Sequence, residues 1–465
     1  MKVSGLPMPL IGALWIAEMA SAFESAMILA ALKVLIAEFG DAARVGWLIT
    51  GFLLTSTVTA ALIGRLGDLR GRRLCLLIVL TAGAIGSLIS AFATSFEVVL
   101  AGRLLQGATG AILPLAIGLV RENLPDRHVP TGIGLMISGA SVGTAAGLVV
   151  GGLIVDHGGW QGIFLASAGF CAVAWIAVRL FVPLSRPSGV TRRVDWLSGI
   201  LFVPAVTLIL AYVSLSKGGG WVEPTHLALV AGGLTLLIWW GWQSLRSANP
   251  LIDIRSFANR TVAVGSLVTA LVAMSTLQII VFFSLLMQAP TWTIAGLGLS
   301  ATAAGLAKLP SNLSSTLAAP LGGWLTGRGG GRLAMVIGGI ITTLGWTLVL
   351  VDASSLGIVI AEMILISFGS AMLFAVAPTI IAQASPPERV SEISGLVGVI
   401  RGLFLGIGAQ MVSLLLATDS IRRGSETYPS PAAYQLTVSV IVAICVLAIL
   451  LSLALPGRRT ASTKA

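Results

Sequence analysis

Long apolar stretches, each about as long as a helix that crosses a bilayer, alternate with short polar breaks along the whole chain. Breaks such as "PDRHVP", "SKGGGWVEP" and "SPPER" carry proline, glycine and charge, which end helices and form turns. Because a helix needs roughly 20 apolar residues to cross the hydrocarbon layer, the pattern predicts fourteen membrane-spanning helices. Their approximate ranges are 9–36, 45–66, 74–94, 98–120, 131–155, 161–183, 196–216, 226–245, 261–287, 300–325, 333–351, 356–381, 391–417 and 432–455.

The composition indicates a membrane protein and excludes an ordinary soluble domain. Of the 465 residues, 56% are hydrophobic and 10% are charged, and the mean hydropathy is +0.99; soluble domains carry about 25% charged residues. With the N-terminus placed inside, the inner loops and tails hold twenty of the 28 Lys and Arg residues, against four outside and four within spans. This asymmetry predicts that both termini are cytoplasmic. It also explains the net charge of +10 by topology and contact with anionic lipids, without nucleic acid.

The two halves of the chain repeat each other. "RLGDLRGRR" after the second span has a counterpart, "WLTGRGGGR", after the tenth, and "LPDRHVPTGIGL" after the fourth corresponds to "PPERVSEISGL" after the twelfth. We therefore expect a six-helix bundle in residues 1–183, two inserted helices in 184–260, and a second six-helix bundle with a cytoplasmic tail in 261–465. Repeated bundles around a central site are a transporter design in which the halves rock and expose the site to alternate faces.

Three motifs resemble those of the major facilitator superfamily. They are "GRLGDLRGRR" at Gly64–Arg73, "LAGRLLQGATGA" at Leu100–Ala111 and "GASVGTAAGLVVGG" at Gly139–Gly152. The inserted pair of spans, with "ANPLIDIRSFANR" before the ninth, is similar to the fourteen-span drug/proton antiporter branch. The resemblance implies the superfamily fold and secondary transport driven by a proton gradient, with no cofactor and no enzymatic activity. One departure is Leu148, which stands where the antiporter motif usually has proline.

An acid lies near the middle of the first span, in "SAFESAMILAALKVL". A charged group at the bilayer centre costs about 2.5–3.5 kcal/mol on insertion scales, so Glu24 is expected to face a water-filled cavity or to be protonated. Alternating access changes the hydration of such a group, which favours a proton-carrying role; the alternative is a permanent helix-packing hydrogen bond. Glu18, six residues earlier, is a second candidate for proton coupling. The resemblance adds Arg103 of the fourth span, for which the alternative is contact with the outer head groups.

Two glycine-containing motifs are assigned conformational roles. In the first, Gly64 and Gly71 allow a tight cytoplasmic turn, and Asp68 is placed to pair with Arg72 and with a basic or helix-terminal partner in the other half. The resemblance implies that this motif is a conformational latch. In the second, glycines recur every fourth residue and form one stripe along a helix, which permits close helix packing. The resemblance implies that this stripe seals an antiporter against leak; its members are Gly139, Gly143, Gly147 and Gly151.

Charged and polar residues within other spans are candidates for the substrate cavity. They are Lys308, Glu362, Arg401 and Gln106. Lys308 is either specific to the substrate or paired with an acid such as Glu362. No cluster of histidines and cysteines has metal-ligand spacing, so we expect no metal site.

We therefore predict an exporter of amphipathic small molecules or drugs, exchanged for protons across a bacterial cytoplasmic membrane. Its expected partners are those molecules, protons and membrane lipids, and it is expected to act as a monomer. One alternative is a dedicated transporter of a single metabolite or lipid, including an anionic one, which the basic residues within spans keep open. A less favoured alternative is a membrane scaffold or sensor without transport.

Overall fold

Apolar helices make up almost all of the described chain in the computed structural model. The structure describes residues 7–39, 42–185, 196–215, 223–247, 250, 253–293, 296–299, 301–423 and 426–456. The helices are α1 (Met8–Phe39), α2 (Ala42–Arg70), α3 (Arg72–Ala91), α4 (Phe96–Gln106), α5 (Ile112–Asn123), α6 (Val129–Gly158), α7 (Gln161–Phe181), α8 (Trp196–Leu215), α9 (Pro224–Arg246), α10 (Arg260–Ser275), α11 (Ile279–Gln288), α12 (Ala301–Ala307), α13 (Leu309–Gly329), α14 (Gly331–Val351), α15 (Leu356–Ala384), α16 (Val390–Leu416) and α17 (Pro431–Leu453).

Each of the fourteen predicted spans overlaps one helix or a consecutive pair of helices. Within the described residues, eleven helical segments are long and apolar enough to cross a membrane, and α10 is a shorter apolar helix. The predicted spans 98–120 and 261–287 are divided by 3₁₀ turns at Gly107–Ala111 and Thr276–Gln278. The protein is therefore a multi-pass helical membrane protein, and the count of fourteen stays a prediction.

A two-stranded hairpin corrects the expectation of a purely helical chain. Strand β1 (Ser420–Arg423) pairs antiparallel with β2 (Glu426–Pro429) in the connection between α16 and α17. The hairpin ends at Ser430, whose hydroxyl accepts a hydrogen bond of 3.1 Å from the Ala433 amide and so caps α17. This polar connection carries too few apolar residues to be distinguished from a loop by its sequence pattern.

The chain divides into two compact units. Unit 1 contains Met1–Asn259 and Ile381–Val399, and unit 2 contains Arg260–Ile380 and Ile400–Ala465. Aliphatic side chains from α1, α3, α5, α6 and α7 form a core cluster in unit 1. In unit 2, a core cluster forms around the aromatic side chains of Phe282 and Trp346. The two inserted helices, α8 and α9, pack on each other within unit 1.

Corresponding turns in the two units share a backbone feature. Gly71 joins α2 to α3 with φ of +107°, and Gly330 joins α13 to α14 with φ of +88°. Side chains other than glycine rarely adopt these angles, so glycine is required where each helix begins directly after its neighbour. The turns occupy equivalent places in "RLGDLRGRR" and "WLTGRGGGR", in agreement with the repeat seen in the sequence.

Candidate functional site

The carboxyl group of Glu24 lies inside unit 1 and is surrounded by three hydroxyl groups. Thr109 Oγ1 is 2.9 Å from Oε2 of Glu24, and Ser87 Oγ and Ser167 Oγ lie 3.0 and 3.2 Å from its Oε1. Helix α1 supplies the acid, and α3, α7 and the 3₁₀ turn supply the hydroxyls. Glu24 is 2% exposed, so in this conformation it does not face a water-filled cavity.

A chain of hydrogen bonds connects Arg103 to this site. NH1 of Arg103 donates to Oε1 of Gln106 at 2.8 Å, and Nε2 of Gln106 donates to Ser87 Oγ at 2.6 Å. NH1 also lies 3.4 Å from the backbone oxygen of Glu24, and the guanidinium carbon lies 4.3 Å from the centre of the Phe52 ring. Arg103 is 1% exposed, so it does not reach the outer head groups. Gln106, a predicted cavity residue, is fully buried in this chain of contacts.

The 3₁₀ turn that carries Thr109 is held against α2 by two glycines. A Cβ on Gly107 would lie 2.5 Å from the Cβ of Thr55, and one on Gly110 would lie 2.1 Å from the hydroxyl of Ser56. Only glycine permits this approach. The turn interrupts the α-helix of the fourth span at the position where Thr109 meets the acid, and 3₁₀ segments within helices often occur at functional sites.

The glycine stripe of α6 packs directly on α1, along the turns before and after Glu24. Every member of the stripe would bring a Cβ within about 3.2 Å of α1, where contacts are tighter than ordinary van der Waals packing allows. The nearest groups are the Trp15 ring for Gly139, the Met19 carbonyl for Gly143, the Phe23 carbonyl for Gly147, and Ala30 and Met27 for Gly151. Gly152, next to the stripe, meets nothing within 4 Å. Thus α6 holds the backbone of α1 at the level of the acid.

Glu18 is buried on the same helix as Glu24, but closer to its N-terminus. Six residues separate the two acids, which corresponds to about 9 Å along the helix axis. The structure therefore places both on α1 within unit 1, and the hydroxyl network described above belongs to Glu24.

Asp68 meets both an arginine and the start of a helix. Its Oδ1 accepts a hydrogen bond from Arg72 Nε at 2.8 Å and forms an ion pair with Arg72 NH2 at 2.7 Å. Its oxygens also accept from the backbone amides of Ser391 at 3.3 Å and Glu392 at 2.9 Å. These amides lie in the first turn of α16, where amides have no partner within the helix and the dipole favours an anion. The predicted latch motif thus binds a helix terminus from the second half of the sequence, within unit 1.

Arg72 extends the contacts of the latch motif. Its guanidinium hydrogen-bonds the Ser391 hydroxyl at 3.0 Å, the Glu122 carboxylate at 3.1 Å and the backbone oxygen of Pro387. Close backbone packing accompanies these bonds, since a Cβ on Gly64 would lie 2.5 Å from the Ser391 carbonyl oxygen. Glycine at this position lets α2 approach the first turn of α16.

A second group of ion pairs adjoins the latch motif. Arg65 pairs with Glu392 at 3.2 Å, and Glu392 Oε1 accepts a hydrogen bond of 2.8 Å from the Asp253 amide. The Asp253 carboxylate pairs with Arg389. Asp253 follows α9, so these contacts connect the segment after the inserted helices to the start of α16.

The remaining cavity candidates, Lys308, Glu362 and Arg401, lie in unit 2. Lys308 is half-buried, and its Nζ donates to the backbone oxygen of Ile280 at 3.3 Å. Glu362 is buried, and neither of its carboxyl oxygens has a hydrogen-bond partner among the described residues. The suggested pairing of Lys308 with Glu362 is therefore wrong for this conformation. Arg401 lies with its guanidinium carbon 5.8 Å from the centre of the Phe374 ring.

Sequence reasoning missed several residues that the structure brings into these sites. The hydroxyls around Glu24 come from Ser87, Thr109 and Ser167, and the ion pairs beside the latch include Asp253 and Glu392. "LLQGATGA" offered one signal, because Thr109 is three residues after Gln106 in a motif already recognised. The two serines gave none, since lone serines are frequent in membrane helices.

Comparison with known proteins identifies what this chain resembles. A family model described as Major Facilitator Superfamily matches residues 14–409. The chain is 24% identical over 430 residues to a tetracenomycin C resistance and export protein of Streptomyces glaucescens, covering 91% of this chain and 78% of that protein. It is 25% identical over 445 residues to a lincomycin resistance protein of Listeria monocytogenes, covering 94% and 92% of the two chains.

A solved structure agrees with the helical fold. The crystal structure of the human organic anion transporter MFSD10 (TETRAN) superposes with a TM-score of 0.70 at 14% sequence identity, covering 97% of this chain and 100% of that chain. At this level of identity the likeness shows the fold alone.

Proposed function

This chain belongs to the Major Facilitator Superfamily, and from that premise we propose that it exports amphipathic small molecules in exchange for protons. The proposal includes membership of the fourteen-span drug/proton antiporter branch and location in a bacterial cytoplasmic membrane. Resemblance to bacterial resistance and export proteins along most of the chain supports it. The first of these relatives is a resistance and export protein and the second a resistance protein, and the transfer of antibiotic export to this chain is our inference.

The proton-coupled part of this proposal rests on the three hydroxyl groups around Glu24, those of Ser87, Thr109 and Ser167, which we call its hydroxyl shell. Ser87 has a second acceptor, the Gly83 carbonyl at 2.8 Å, and Thr109 has one in the Gln106 carbonyl at 2.8 Å. A hydroxyl group both donates and accepts. When Glu24 is ionised, both hydroxyls donate to it. When it is protonated, it donates to one of them, whose own hydrogen turns to the carbonyl.

The site can therefore hold either form of the acid without movement of heavy atoms. A lysine or a backbone amide in place of the hydroxyls could only donate, and could not accept the hydrogen bond that the protonated acid donates. Arg103 keeps its positive charge throughout. The buried group of Glu24 and Arg103 consequently alternates between no net charge and one positive charge as the proton leaves and returns.

Proton exchange also requires that water reach Glu24 from one side at a time. Glu24 is buried in this conformation, and we infer that rearrangement of the helices around α1 opens it to water in another. The latch motif is placed to control such a rearrangement, because Asp68 binds the first turn of α16 through charge-assisted hydrogen bonds. Breaking these bonds would release α16 from α2 and so change the balance between conformations.

Flux into proteoliposomes tests the function. Purified full-length protein would be assayed with cationic dyes, uncharged amphipathic drugs and anionic solutes, with and without an imposed pH gradient. The proposal predicts uptake of amphipathic solutes against their gradient only when the pH gradient is present. Equal flux with and without that gradient would refute proton coupling, and flux confined to one anionic solute would favour a dedicated anion transporter.

A further inference from the structure

A small cavity of about 10 Å³ lies inside unit 2, between α10, α14 and α17. Four residues with hydroxyl groups are among those that line it, and each is no more than 1% exposed: Ser275, Thr276, Thr342 and Ser452. Apart from these and the Cys445 thiol, the described residues of its wall are apolar. A volume of about 10–15 Å³ is the least that holds one water molecule, so the cavity has room for one.

The internal repeat places Ser275 of this cavity where unit 1 has Glu24. Gly147 and Gly408 are equivalent, because each lies twelve residues after the leucine that ends "LPDRHVPTGIGL" or "PPERVSEISGL". A Cβ on Gly147 would collide with the carbonyl of the residue before Glu24, and a Cβ on Gly408 with the carbonyl of the residue before Ser275. Each glycine therefore holds the first helix of its repeat at the same level, with an acid in one unit and a serine in the other.

Thr342 marks the same place in the repeat independently of Ser275. It is equivalent to Gly83, since each lies twelve residues after the glycine with positive φ that begins its helix hairpin. A Cβ on Gly83 would lie 3.8 Å from Oε1 of Glu24. Thr342, in turn, lines the cavity together with Ser275. The cavity is thus the counterpart in unit 2 of the Glu24 site, without the carboxyl group.

The hydroxyl of Thr342 has no hydrogen-bond partner in the parts of the chain that the structure describes. The other three hydroxyls each donate to the backbone oxygen four residues earlier, at 2.7 Å for Ser275, 2.8 Å for Thr276 and 2.7 Å for Ser452. Their oxygens keep lone pairs that can accept a further hydrogen bond. The residues around the cavity therefore supply one free donor and several acceptors, and a buried polar group without a partner indicates bound water or another ligand.

We propose that one water molecule is bound in this cavity, accepting a hydrogen bond from Thr342 and donating to two of the other three hydroxyl oxygens. Buried waters typically form about three hydrogen bonds, which is the number that this arrangement supplies. A cation is a poorer fit, because none of the described residues that line the cavity is an acid. A cation would also leave the hydrogen of the Thr342 hydroxyl without an acceptor.

The bound water takes the place in unit 2 that the carboxyl group of Glu24 takes in unit 1. Hydroxyl groups surround a titratable acid in one repeat and an uncharged water in the other. At this level of the bundle, only the first repeat can therefore bind and release a proton. The water site itself does not depend on proton-coupled export, since it concerns the folded protein in the absence of any gradient.

A density map of the purified full-length protein, at a resolution that shows ordered waters elsewhere in its interior, tests the site directly. We expect one peak in the cavity, about 2.5–3.0 Å from Oγ1 of Thr342 and from two of the other hydroxyl oxygens. The peak should be absent from Thr342→Val, which keeps the shape of the side chain and loses its hydroxyl. It should be retained in Thr342→Ser.

Thermal unfolding provides a second test, in which the sign of the change is decisive. If Thr342 holds the water, Thr342→Val removes a hydrogen bond and should lower the unfolding midpoint by about 1–3 °C. If the hydroxyl has no partner, the same change removes an unsatisfied buried group and should leave the midpoint unchanged or raise it. Thr343→Val is the matched control, because its hydroxyl bonds the Gly339 carbonyl at 2.8 Å and it does not line the cavity.

Absence of the peak from the unchanged protein would overturn the proposal, and so would a peak that persists in Thr342→Val. A peak with six or more oxygens at about 2.3–2.6 Å would identify a cation and would also overturn it. The same holds for a midpoint of Thr342→Val that equals or exceeds that of the unchanged protein. If Thr342→Val does not fold, the peak in the unchanged protein and in Thr342→Ser decides the question alone. These outcomes are distinct from loss of gradient-driven flux, which concerns Glu24.

Discussion

The packing of α6 on α1 makes a quantitative prediction for Gly147→Ala. A Cβ at Gly147 would lie 2.7 Å from the Phe23 carbonyl oxygen and 2.9 Å from the Cβ of Ala26. Because carbon–oxygen contacts lie at about 3.3–3.6 Å, the helices must separate there by roughly 0.6 Å or more. Overpacking costs about 1–3 kcal/mol, against a gain of about 0.5–1 kcal/mol from replacing glycine in a helix. We expect a net destabilisation of about 1–2 kcal/mol.

The same separation should disturb the candidate proton site. Phe23 immediately precedes Glu24, whose hydrogen bonds to the three hydroxyls measure 2.9–3.2 Å. A displacement of roughly 0.6 Å would lengthen some of them beyond the range in which hydrogen bonds are effective. Gly147→Ala is therefore expected to lower proton-driven transport and to raise proton leak in the absence of substrate.

Gly152→Ala is the matched control, because it makes the same change on the same helix where a Cβ meets nothing within 4 Å. Thermal unfolding of the purified variants, followed by circular dichroism, should show a lower midpoint for Gly147→Ala and an unchanged or slightly higher one for Gly152→Ala. Proton leak would be measured in proteoliposomes with an entrapped pH-sensitive dye. Equal stability and equal leak in the two variants would refute the role assigned to the α1–α6 contact.

Two further predictions concern the latch motif and the hydroxyl shell. Asp68→Asn should lower transport at least tenfold, because it removes the carboxylate that joins the buried Arg72 to the first turn of α16. Glu122→Gln, at a partly exposed acid that also pairs with Arg72, should lower it less than threefold. Initial rates in proteoliposomes would contradict this if the two variants matched. Thr109→Val removes a hydrogen-bond donor to the Glu24 carboxylate, a bond of about 1.5–3 kcal/mol. Protons should therefore stay bound to Glu24 up to a higher pH, and the pH midpoint of transport should rise by about one unit, whereas Thr109→Ser should leave the midpoint unchanged. A midpoint that stays constant in both variants would exclude Thr109 from the proton site.

The sequence predicted the superfamily and the positions of its helices because their signals are local. Runs of about 20 apolar residues and glycine-rich turns are readable without a fold. The 3₁₀ turn at Gly107–Ala111 was not predicted, since its apolar composition continues that of the helix. Its cause lies in tertiary packing, where Gly110 meets Ser56 of α2.

The candidate site was predictable only in part, for the same reason. Glu24 stood out because an acid within a membrane span is rare and expensive. Ser87 did not, because serine and threonine in helices commonly bond the carbonyl four residues earlier, as Thr81 does with Leu77. The pairing of Asp68 with Arg72 follows from a spacing of four residues. Its contact with Glu392, 324 residues away, depends on the fold.

Gradient-driven uptake by Glu24→Gln in everted membrane vesicles tests the central claim most directly. Glutamine keeps the shape of the side chain but cannot exchange a proton. With ethidium as the probe, the variant should fold and retain downhill exchange while losing uptake driven by the pH gradient, and Glu24→Asp should retain a measurable part of it. Uptake by Glu24→Gln that equals that of the unchanged protein would contradict the account and leave Glu24 as a packing residue.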